Sequence, residues 1–172
     1  VSRKEQFMKP WRIVAATMAL AGVAVLPPFA FAGSARADSN LTASLGTATL
    51  TARILIHVPV KVVCASLGGT YVVTDSITVG VQEASGKSVS SGSGQVVGGS
   101  FDGDPALFIC DGSTKNVVTV PVLPATGSGP FHKGMAIVTV NISHSTDDCQ
   151  FGGCGGGGSA SAVIGPRALK IS

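Results

Sequence analysis

Val58-Pro59-Val60-Lys61-Val62-Val63-Cys64 is the stretch from which the fold is read. Val58, Val60, Val62 and Cys64 share one parity, so an extended chain turns all four to one face. A strand ending in an inward cysteine, among other strand-patterned segments, predicts the centre of a disulfide-pinned β-sandwich. Upstream, Leu50, Ala52, Ile54 and Ile56 carry the same parity. A single strand from Thr47 to Cys64 would far exceed the usual length of roughly 5–6 residues. A break is therefore expected near Arg53–His57, with Pro59 marking an edge or a bulge.

Working outward, the rest of the chain after Ala37 shows the same period of two. Ile77, Val79 and Val81 alternate with Thr78, Gly80 and Gln82, and Val118, Val120 and Val122 face one side of a later strand. Ala136, Val138, Val140 and Ile142 give the cleanest alternation. Tyr71–Thr74 reads as a short extended piece punctuated by Asp75-Ser76. Ser88–Gly99, small and polar, reads as a weak strand pair near an edge. Ala106–Cys110 reads as a buried strand with Ala106, Phe108 and Cys110 on one face, and Asp111-Gly112 as a turn. Ala162–Ile171 closes the chain as a strand kinked at Gly165-Pro166. No helical stripe interrupts the series. The class is all-β: an antiparallel sandwich of about seven to nine strands, matching the count of an immunoglobulin-like sandwich.

The first 37 residues have a different character. Met8-Lys9-Pro10-Trp11-Arg12 reads as a second, conventional beginning, with residues 1–7 before the true start. Ile13 to Leu26 is uncharged and apolar, then come Pro27-Pro28 and the small-residue patterns Ala30-Phe31-Ala32 and Ala35-Arg36-Ala37. This is the layout of a secretory signal peptide, and cleavage after Ala37 is favoured over cleavage after Ala32. The apolar run is shorter than the ~20 residues of a membrane span, so no stable membrane insertion is expected after cleavage. The organisation is therefore a signal peptide over 1–37, one sandwich domain over 38–172, and a secreted, extracellular product.

Removing the leader changes the charge. Arg3, Lys4, Lys9, Arg12 and Arg36 leave with it, as does Glu5. Of 12 basic and nine acidic residues, seven and eight then remain, with Asp38 first in the mature chain. The basic balance of the whole chain thus belongs to the leader. Nothing in residues 38–172 forms the clustered basic patch that nucleic-acid binding needs.

Four cysteines follow the leader, Cys64, Cys110, Cys149 and Cys154, and an even number in an exported chain predicts two disulfides. Cys149 and Cys154 lie among glycines that ease closure of a small ring. Cys64 with Cys110 is then the long bridge, expected as a staple between sheets. On the chain-entropy view the long loop contributes about 4 kcal/mol and the short one about 2 kcal/mol.

Val60-Lys61-Val62-Val63-Cys64, the Val81-Gln82 strand end, Cys110-Asp111-Gly112 and Pro130-Phe131-x-x-Gly134-x-Ala136 together resemble small exported immunoglobulin-like sandwich proteins of actinobacteria. The resemblance covers most of Leu45–Ile142 and implies a fold and a compartment, with no catalytic residues. Asp148-Cys149-x4-Cys154 also resembles the second disulfide loop of the enediyne-chromophore apoproteins, whose other disulfide closes a short loop, unlike Cys64 and Cys110.

Other motifs are read as ordinary structure. Leu123-Pro124-Ala125-Thr126-Gly127 matches a wall-sorting signal but is followed by strand-patterned chain, so a loop is expected. Asp102, Asp104, Asp147 and Asp148 offer too few identifiable donors for calcium. His57 and His132 lack a nucleophile partner, and no G-x-S-x-G elbow occurs. The aromatics after Ala37 are Tyr71, Phe101, Phe108, Phe131 and Phe151, too sparse for sugar stacking. No catalytic residue, cofactor or metal is expected. The expected role is a secreted non-enzymatic β-sandwich acting as an extracellular interaction or structural module, its partner an unidentified extracellular protein or small ligand. The alternatives are a small-ligand carrier and a protease inhibitor presenting Pro124–Pro130.

Overall fold

A computed structural model describes residues 36–37, 40–68, 72–86, 88–99, 106–150, 153–154 and 156–172. All of them fall in the compact unit Phe31–Ser172. The leader other than Arg36–Ala37 lies outside the described residues, as do Asp38, Tyr71, Phe101, Asp102, Asp104 and Phe151.

In chain order the strands are β1 (Arg36–Ala37), β2 (Leu41–Leu45), β3 (Thr49–Thr51), β4 (Leu55–Cys64), β5 (Val72–Ser85) and β6 (Ser88–Gly99). Then follow β7 (Asn116–Pro124), β8 (Gly134–Asp147), β9 (Cys149–Gln150), β10 (Gly153–Cys154) and β11 (Ser159–Ile171). Nine of them form one antiparallel sheet in the order β1-β11-β8-β5-β6-β7-β4-β2, with β3 also on β4; β9 and β10 pair separately. Ala48 bridges to Ile171, and the Leu50 amide donates to the Ser172 carbonyl oxygen at 3.0 Å. The last strand thereby returns to the opposite margin, and the sheet closes over one apolar core.

The opening stretch behaves as its parity requires. Val58, Val60, Val62 and Cys64 are buried and meet Ile77, Val79 and Val81 of β5, Val120 and Val122 of β7, and Val138, Val140 and Ile142 of β8 in one cluster. The expected break falls at Ala52-Arg53, where both residues have positive φ (52° and 61°) and join β3 to β4. For Pro59 the edge alternative is corrected and the bulge holds: β4 lies between β2 and β7, and between the Leu45–Val60 and Thr49–His57 pairs three residues (46–48) face two (58–59). The Pro59 carbonyl accepts from the Gly46 amide at 2.8 Å. Gly46 falls in the gap between β2 and β3, so the missing N–H of Pro59 interrupts no regular ladder.

Three further expectations are corrected. Asp75-Ser76 does not punctuate β5, which runs unbroken from Val72 to Ser85. Ser88–Gly99 is one strand placed between β5 and β7, not a weak pair at an edge. Its glycines explain the difference: a Cβ on Gly94 would collide with the Pro121 carbonyl, and one on Gly92 would come within 2.7 Å of the Phe131 ring. Only bare backbone lets β6 join the two halves of the sheet. Gly94→Ala is accordingly expected to cost about 3 kcal/mol, at the upper end for overpacking, read as a lower urea midpoint. An unchanged midpoint would show that the junction yields freely.

The third correction concerns Ala106–Cys110, which is no strand. Phe108 is buried, but Ala106 is exposed and Cys110 only half-buried. The Cys64–Cys110 disulfide is present, with Cα atoms 4.6 Å apart. It ties the end of β4 to a non-strand strap rather than stapling two sheets. Cys149 and Cys154 are register partners across β9 and β10, and their side chains lie outside the described set.

Candidate functional site

Strand β5 carries Asp75, Ile77, Val79, Val81 and Glu83 on its inward parity, so the core face of one strand has a carboxylate at each end. The two lie about 27 Å apart along an extended chain. Each carboxylate holds a connecting segment and faces a histidine.

At the first end, Asp75 and His144 are register partners on β5 and β8. Both are buried, and His144 Nδ1 lies 2.6 Å from Asp75 Oδ1. Asp75 Oδ2 accepts the Leu107 and Phe108 amides at 2.8 and 3.2 Å. With Oδ2 taken by two amides, Oδ1 is the oxygen left to accept from the imidazole, and we assign the imidazole proton to Nδ1. The Phe108 ring meets His144 edge-on, with centroids 6.3 Å apart. These bonds explain how Phe108 stays buried on a strap without a strand partner: side chains satisfy the amides on either side of it.

Asn116 continues the same task. Its Oδ1 accepts from the Ile109 amide at 2.8 Å, and its Nδ2 donates to the carbonyls of Val62, Ile109 and Thr114. Beyond the disulfide, Asp111 accepts from the hydroxyl and amide of Thr114 and from Ser113. Those donors, the Thr114 hydroxyl first, hold the Asp111 carboxyl well below the usual carboxylate range.

At the second end, Glu83 Oε2 accepts the His132 amide at 2.7 Å, and its Oε1 lies 3.6 Å from His132 Nδ1. The Phe131 amide donates to the Arg53 carbonyl at 3.0 Å, which sets this loop against the β3–β4 turn.

The residues singled out from sequence are scattered. His57 is half-buried on β4, while His132 belongs to the Glu83 pair. Leu123–Gly127 ends β7 and turns, with the Ala125 amide donating to the Ser91 carbonyl at 2.8 Å. Asp147 is exposed and Asp148 half-buried; among the described residues no group of three or more His, Cys, Asp or Glu gathers. Sequence reasoning misses Asp75, Glu83 and His144. A parity signal for them exists, because each continues the apolar phase of its strand.

A cavity of about 170 Å³ opens beside His144, lined also by Leu67, Val73, Phe108, Cys110 and Thr146. No family model, curated protein or solved structure matches the chain.

Proposed function

We propose that the chain is an exported, non-enzymatic module with an immunoglobulin-like sandwich and two disulfides, serving extracellular structure or interaction. The observation that carries this reading is the use made of the interior polar groups. Asp75 Oδ2, Glu83 Oε2 and Asn116 Oδ1 each accept from amides of connecting segments, so these side chains serve the fold. The facing register of Cys149 and Cys154 supports the second disulfide. Because Arg36–Ala37 pairs with Val163 and Ala162 of β11, cleavage after Ala32 would retain β1 and cleavage after Ala37 would remove it.

The test is purification of the protein from the secreted fraction, followed by identification of what accompanies it and assay against peptide, ester and glycan libraries. A reproducible protein companion and no turnover are expected. Turnover abolished by a single side-chain change would overturn the reading.

A further inference from the structure

We propose that the cavity beside His144 is a binding site for a neutral, single-ring ligand bearing a hydroxyl, of the phenol class, which donates its hydrogen bond to His144 Nε2. This goes beyond the module reading, which is decided separately by the secreted-fraction experiment.

Three observations lead there. His144 is buried to 3% side-chain exposure, and among the described residues its side-chain hydrogen bond is the one from Nδ1 to Asp75. With the proton on Nδ1, Nε2 is an acceptor whose direction is fixed by the carboxylate behind it. His144 lines a cavity of about 170 Å³, close to the ~150 Å³ that accommodates benzene in an apolar protein interior. The walls are mixed: Leu67, Val73 and Phe108 are apolar, and the Thr146 hydroxyl is already engaged with the Gly68 carbonyl and the Gly158 amide. Among the described side chains lining the cavity, Nε2 and the Ser66 hydroxyl are the polar groups left to orient a ligand, and Nε2 is the buried one, held from behind by Asp75.

The same features select the ligand. No cationic side chain of the described residues lines the cavity, and Asp75 lies behind the imidazole, so an anion is disfavoured. A single imidazole nitrogen falls short of the four donors of a structural zinc site. A small ring with one hydroxyl fits both the volume and the acceptor.

The test uses 15N-labelled protein titrated with phenol and with toluene, which matches phenol in size but lacks the hydroxyl. Phenol should shift the His144 Nε2 resonance saturably and bind at least tenfold more tightly than toluene. Ser66→Trp, at an exposed cavity residue, should weaken phenol at least tenfold while leaving the amide spectrum of β4 and β8 unchanged. Equal affinity for the two ligands, or no saturable shift at His144, would overturn the proposal whether or not the variant folds.

Discussion

Asp75→Ala is expected to destabilise the protein by about 3–5 kcal/mol, from the range of about 1–3 kcal/mol for each buried donor left unsatisfied. The substitution strands three donors at once: His144 Nδ1 and the amides of Leu107 and Phe108. Each is buried or half-buried, so water cannot replace the carboxylate without opening the strap. Asp75→Asn keeps one acceptor oxygen and should cost less, about 1–3 kcal/mol. Urea unfolding gives both values, and hydrogen exchange locates them: protection at Leu107 and Phe108 should fall before that of β8. If Asp75→Ala unfolds within about 1 kcal/mol of wild type, below even the smaller range, the carboxylate does not hold the strap.

How much of the molecule is legible in the sequence differs by element. The parity of Val58–Cys64 and of Ala136–Ile142 depends on the two-residue period alone, and it places their core faces correctly. The Cys64–Cys110 pairing is also legible, because glycine around Cys149 and Cys154 favours the short ring. Asp75 reads as punctuation because aspartate is depleted in strands. Its inward phase with Ile77, Val79 and Val81 is visible, but its meaning depends on His144, 69 residues away. That contact comes from the register of β5 on β8, which no local pattern carries. The strap at Ala106–Cys110 passes for a strand for a related reason: its amides are satisfied by Asp75 and Asn116, so its apolar residues need no strand partner. The position of β6 turns on backbone collisions at Gly92 and Gly94, which become visible only when β7 is beside it.

Removing the Cys64–Cys110 bridge, by Cys64→Ala together with Cys110→Ala, is expected to cost about 4 kcal/mol, the chain-entropy value for a 46-residue separation. The native strap keeps other anchors: the Gly112 amide donates to the Cys64 carbonyl at 2.9 Å, and Asp75 and Asn116 hold Leu107 to Ile109. The folded state should therefore persist in the double variant, with the loss falling on the unfolded chain, which regains the freedom of β5 and β6 between the two cysteines. Against a typical total stability of roughly 5–15 kcal/mol, that is a large share. The urea midpoint should fall while the amide spectrum of β8 and β11 is preserved. The comparison is Cys149→Ala with Cys154→Ala, for which the short bridge proposed between them predicts about 2 kcal/mol. Equal losses for the two pairs would exclude loop closure as the source of the effect, and a collapsed spectrum in the first would mean that the bridge holds the strap in the native state.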